Sequence, residues 1–194
     1  MPITVLWVAA VSLAVSSAGL LLSRNWRWSL GLLALQYFGT FWLLLSHWTL
    51  NLSASVLVTG WMSAAALGMT QINLANEPAD ETSWPQGNLF RIFATGLVLL
   101  ATSAAAAPVA AWLPDSSLPI IWGALVLTGL GFLHLGLTLQ PLRVIIGLLT
   151  TLLGFEILYS GIENSILVAG LLMVVTLGLA LTGCYLLILG EQSA

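Results

Sequence analysis

From Ile3 to Leu189 the chain is a succession of apolar runs, each close to the length of a bilayer crossing, separated by polar breaks. That alternation constrains the fold more than any motif does. A helix needs about 20 apolar residues to cross the hydrocarbon of a bilayer. Breaks at polar, proline and tryptophan clusters give seven candidate crossings: 3–22, 28–46, 52–70, 89–112, 118–139, 144–161 and 165–189. Composition points the same way. Hydrophobic residues make up 59% of the chain and charged residues 6%, whereas a soluble chain carries roughly 25% charged residues to hydrate its surface. The expected fold class is therefore all-α, a polytopic integral membrane protein.

The few charges are informative. There are four cations, all arginine, against seven acids, which excludes nucleic-acid binding because that needs clustered cations to neutralise phosphates. One cysteine, Cys184, excludes a disulfide framework within the chain and is expected to be a packing residue. With seven crossings, the breaks after the first, third and fifth share a side. Arg24 and Arg27 follow the first crossing, Arg91 opens the fourth and Arg143 follows the fifth. The positive-inside rule then puts the N-terminus outside and the C-terminus in the cytoplasm, across a bacterial inner membrane or a thylakoid-type membrane. The first run is not read as a cleaved leader, because its basic residues follow the apolar stretch instead of preceding it.

One break is long. Residues 71–88 hold Glu77, Pro78, Asp80, Glu81, Pro85 and Gly87, an acidic, breaker-rich composition expected of a hydrated cytoplasmic loop. Of the nine tryptophans, Trp26, Trp28, Trp48, Trp84 and Trp112 fall near span ends, where the indole favours headgroup depth. Trp7, Trp42, Trp61 and Trp122 lie deeper and are expected to pack on neighbouring helices.

Arg27-Trp-Ser-Leu-Gly31-Leu-Leu is echoed by Arg143-Val-Ile-Ile-Gly147-Leu-Leu. The layout implies a first three-helix unit (1–70), the acidic loop (71–90), a linking helix (91–112) and a second three-helix unit (118–189). Corresponding helices are an even number of crossings apart, so this 3+1+3 repeat is parallel.

Glu156 is the residue with most chemical promise. It lies 13 residues past Arg143, about 20 Å along a helix, well inside the sixth crossing. A charge at that depth is costly, so the group must face protein or water, and low-dielectric surroundings favour its neutral form. It is expected to hold a proton at rest and exchange it when water arrives, with Tyr159 and Ser160 on the same helix face as hydrogen-bond partners. The competing reading is a protonated acid that only glues two helices together. Gly147, Gly154 and Gly161 recur every seven residues and form a groove for a close helix neighbour. Glu156 is about 200° round from Gly154, so the carboxyl is expected on the opposite side from that groove. His134, near the end of the fifth crossing, is either a buried structural histidine or a proton relay; by itself it could also ligate a chlorin or haem. No cofactor or metal site is otherwise expected. The chain shows no nucleophile–base pair and no phosphate cradle, so no catalytic residue is assigned and a self-contained enzyme is not expected.

The stretch from Arg143 to Leu187 resembles the K-type small membrane subunit of respiratory complex I. It is similar also to the C-type subunit of Mrp antiporters and to hydrogenase-4 component E. The likeness rests on a basic turn followed by Gly154-Phe155-Glu156-Ile157, then a polar turn and a further crossing. It implies that Glu156 is an intramembrane proton-pathway carboxylate. The family's second acid, in its last span, has no counterpart, because 165–189 carries Thr176 and no acid. In the first half, Gly39-Thr40-Phe41 stands where the carboxylate element would be.

These readings lead to one expectation. The chain is a non-catalytic subunit of a multi-subunit, ion-translocating respiratory assembly, embedded in lipid among other integral membrane subunits. Glu156, Tyr159, Ser160 and His134 would line a proton or cation path shared with those neighbours. The alternative is a purely structural, or pigment- or lipid-binding, small subunit of a respiratory or photosynthetic complex.

Overall fold

The computed structural model describes residues 2–23, 25–74, 87–113, 116–163 and 165–192. They form α1 (Ile3–Leu22), α2 (Trp26–Leu44), α3 (Leu50–Asn73), α4 (Asn88–Trp112), α5 (Leu118–Leu137), α6 (Pro141–Ser160) and α7 (Ile166–Gln192). No strand occurs among the described residues. Each expected crossing meets one helix, and local chemistry sets several boundaries. The Asn25 side chain caps α2 by accepting the Arg27 N–H at 3.0 Å. Proline stands at the start of α5 and α6, where a missing N–H costs nothing. Arg24, Trp84 and the acidic stretch from Glu77 to Pro85 lie outside the described residues.

Six helices are long and apolar enough to cross a membrane, which fits a multi-pass membrane protein. The exception is α2. Its 19 residues include Ser29, Gln36, Tyr37 and Thr40, all buried. It can be this polar because α1, α3 and α6 pack around it and receive those groups in place of lipid. At the other extreme, α4 lies at the edge on α5 and α1 and turns Phe93 and Leu100 outward.

Close helix approach follows the small residues. A Cβ at Gly154 would stand 2.7 Å from the Ala124 carbonyl oxygen, and one at Gly147 3.0 Å from Leu135. Gly161 abuts Ser116. The glycine groove of α6 therefore receives α5 and the residues just before it. The pairs α1–α5, α2–α6 and α3–α7 also pack on one another. Leu33, Leu43, Leu127, Ile146, Leu149 and Ile157 are fully enclosed among them.

Of the deeper tryptophans, Trp122 packs between α1 and α4, whereas Trp7 and Trp61 stay 38% and 49% exposed and Trp42 meets Phe38 and Phe41 of its own helix. Trp7 of α1 meets Trp122 of α5 with ring centroids 6.0 Å apart. Trp122 donates to Ser103 Oγ of α4 at 2.9 Å, and Trp61 donates to the Ala34 carbonyl at 3.1 Å. Trp48 departs from expectation. It follows α2, yet it is 5% exposed and part of the core, because the chain turns back over it into α3.

Arg27, Arg91 and Arg143 come to one end of the bundle. Arg91 Nη1 donates to the Leu21 carbonyl at the end of α1 (3.3 Å), and Arg143 lines the same cleft as both. Arg143 also lines a cavity with Trp26, over whose ring the Arg27 guanidinium sits at 5.2 Å.

Candidate functional site: a carboxyl in a polar nucleus

Glu156 lies one helical turn from the end of α6 and is 2% exposed. The glycine groove fixes its direction. With Gly154 against α5, a residue about 200° further round points to the opposite side, where α2 and α7 stand. One phenol lies near it there. Tyr37 of α2 interacts electrostatically with the Glu156 carboxyl and lies near the hydroxyl of Thr176 of α7. Neither Tyr37 Oη nor Glu156 Oε2 has an aligned hydrogen bond among the described residues. The Tyr37 ring is seated on Gly60 of α3, whose missing side chain makes the room.

A second polar group crosses the bundle nearer its middle. Gln36 Nε2 of α2 donates to Ser17 Oγ of α1 at 2.8 Å. Thr150 Oγ1 of α6 lies 3.1 Å from Gln36 Oε1 and 2.9 Å from its own Ile146 carbonyl. Gln36 is fully buried and tethers three helices. Thr40, one turn further along α2, is also buried, and its Oγ1 has no hydrogen bond among the described residues. Hydroxyls in this bundle usually donate to a carbonyl of their own helix, as Ser17, Thr151 and Thr176 do. Thr40 on α2 and Glu156 on α6 thus hold polar atoms whose hydrogen-bonding capacity the surrounding protein leaves unfilled. Each such buried atom costs roughly 1–3 kcal/mol.

Several expectations change. Tyr159 does not reach Glu156: its hydroxyl donates to Glu163 Oε2 at 3.5 Å and its ring stacks on Phe155 at 6.2 Å. A large side chain follows the exposed i−4 neighbour, and Phe155 lies on the outer face of α6. Ser160 Oγ donates to the Ile157 carbonyl at 2.7 Å, so it too leaves the carboxyl alone. His134 is buried, and its ring faces Gly147, nine residues or about 13 Å along α6 from Glu156. The structure groups it with Arg91, Thr138 and Arg143 at the arginine end. Glu156 itself faces helices of its own chain, where the sequence reading had left that side to neighbouring subunits. His47, the other histidine, lies 3.5 Å from Ser116 at the opposite end.

Tyr37 is the neighbour of Glu156 that sequence reasoning missed. Its signal was a tyrosine between Gln36 and Thr40, on the one helix whose apolar run is interrupted at each turn. Among the described residues, no three His, Cys, Asp or Glu side chains gather as a metal site requires.

Neither a family model, a curated protein nor a solved structure matches this chain. The likeness to K-type subunits therefore rests on the sequence from Arg143 to Leu187 alone.

Proposed function

We propose that the chain is a non-catalytic membrane subunit of a multi-subunit, complex-I-like or Mrp-like, ion-translocating assembly, and that Glu156 passes a proton within it. The observation that carries this reading is an ionisable carboxyl, 2% exposed, whose Oε2 has no hydrogen bond among the described residues and which lies near Tyr37. Intramembrane acids are costly and mark ion pathways by default. Here the near group is the Tyr37 hydroxyl, which can donate to a carboxylate or accept from an acid, so it serves both protonation states. Polar groups continue on either side along α6. Thr150 with Gln36 and Ser17 lies toward the arginine end, and Ser160 with Ser116 and His47 lies toward the other.

In this proposal the chain crosses a bacterial inner or thylakoid-type membrane seven times, with α2 shielded by protein and the arginine end cytoplasmic. The pairwise packing of α1 on α5, α2 on α6 and α3 on α7 supports the duplicated three-helix plan. The broad apolar faces of α4 and α7 suit lipid or the helices of larger subunits.

The test is proton uptake by vesicles holding the chain with whatever copurifies in mild detergent. Glu156→Gln should slow uptake at least tenfold while assembly stays normal, and Glu156→Asp should keep part of it. Unchanged uptake in a normally assembled Glu156→Gln complex would leave Glu156 as helix glue and the chain as a scaffold.

A further inference from the structure

At the arginine end, a cavity of about 150 Å3 lies between the starts of α2 and α6 and the ends of α3 and α7. Trp26, Ser29, Gln71, Gln140, Arg143 and Leu187 are among its lining residues. The chemistry of that wall is specific. Arg143 offers a planar fork of donors suited to a phosphate. It sits in the first turn of α6, which has no acidic residue, so the positive end of the helix dipole adds to its charge. Arg143 also borders the cleft that holds Arg91 and His134, and Arg27 lies over Trp26 at the rim.

The rest of the wall is neutral and hydrogen-bonding. Gln71 and Gln140 carry amides and Ser29 a hydroxyl. Trp26 supplies an indole of the kind that favours headgroup depth, and Leu142 and Leu187 complete an apolar side.

We propose that this cavity binds the headgroup of an anionic, hydroxyl-bearing phospholipid. The phosphate meets Arg143 and the first turn of α6. The headgroup hydroxyls meet Gln71, Gln140 and Ser29, and the acyl chains leave along the apolar outer surface. A phosphatidylcholine headgroup would bring a quaternary ammonium beside Arg143 and bind more weakly. Basic pockets between membrane helices commonly hold anionic headgroups.

Native mass spectrometry of the full chain in mild detergent tests this, with phosphatidylglycerol and phosphatidylcholine of matched acyl chains as probes and glycerol 3-phosphate as the soluble counterpart. The chain should retain phosphatidylglycerol over phosphatidylcholine. Arg143→Gln should weaken that retention about fivefold to tenfold, and Arg143→Lys should lose less. Should Arg143→Gln fail to fold, the comparison of headgroups on the native chain and Arg143→Lys carries the test. Equal retention of the two lipids, or an unaffected Arg143→Gln, overturns the proposal. So does glycerol 3-phosphate held as tightly as the lipid, which would make this a site for a soluble phosphate. Glu156 variants should bind lipid normally, which keeps this test separate from proton transfer.

Discussion

Gly154→Ala is the sharpest probe of the packing that aims Glu156. One added methyl would lie 2.7 Å from the Ala124 carbonyl oxygen and 2.7 Å from the Thr128 backbone nitrogen. Ordinary contact begins near 3.4 Å, so α5 and α6 must separate by roughly 0.7 Å. Both obstacles are backbone, and no rotamer change relieves them. A gap of about 0.5–1 Å forfeits a quarter to a half of each dispersion contact, and overpacking typically costs about 1–3 kcal/mol. Gly178→Ala is the matched control: it lies in α7 with nothing within 4 Å of its new methyl. There the better helix propensity of alanine should stabilise by about 0.5–1 kcal/mol. The propensity gain is common to both, so denaturation by SDS in mixed micelles, followed by circular dichroism, should separate the two variants by about 1–3 kcal/mol. Equal stabilities, within about 0.5 kcal/mol, would refute the α5–α6 contact and with it the direction assigned to Glu156.

Two further outcomes follow from the polar nucleus. Gln36→Met keeps the length of the side chain and removes the tether between Ser17 and Thr150. Both hydroxyls retain carbonyl partners on their own helices, so the cost by the same denaturation assay should be about 0.6–1.7 kcal/mol; a loss above about 3 kcal/mol would show that Gln36 does more. Gly60→Ala puts a methyl where the Tyr37 ring lies. It should displace Tyr37 and slow proton uptake with Glu156 intact, a result that wild-type uptake in a folded variant would contradict.

The helices were legible because burial in lipid demands an apolar run about 20 residues long, and six of the seven described helices are long and apolar enough to meet it. The groove was legible too, because Gly147, Gly154 and Gly161 repeat on one face and each meets α5 or the residues before it. Polar surroundings were harder to read. Tyr37 looks like an ordinary aromatic in a run, and only the meeting of α2, α6 and α7 brings it to Glu156. Spacing put Tyr159 one turn from the carboxyl, but spacing does not give the rotamer, which follows Phe155. His134 lies at the arginine end, as its place near the end of the fifth crossing implies; what spacing did not give is its grouping with Arg91 and Thr138. Trp48 shows the same limit, since a position just past a helix says nothing of how the chain folds back over it.

The account turns on whether the Glu156 carboxyl gains and loses a proton inside the folded bundle. Infrared difference spectroscopy of the chain in lipid vesicles, wild type against Glu156→Gln, reads this directly as H2O is replaced by D2O. The account predicts a carboxylic-acid carbonyl band that Glu156→Gln removes and that shifts on deuteration while the chain stays folded. A Glu156 band that keeps its hydrogen until the bundle unfolds would contradict it.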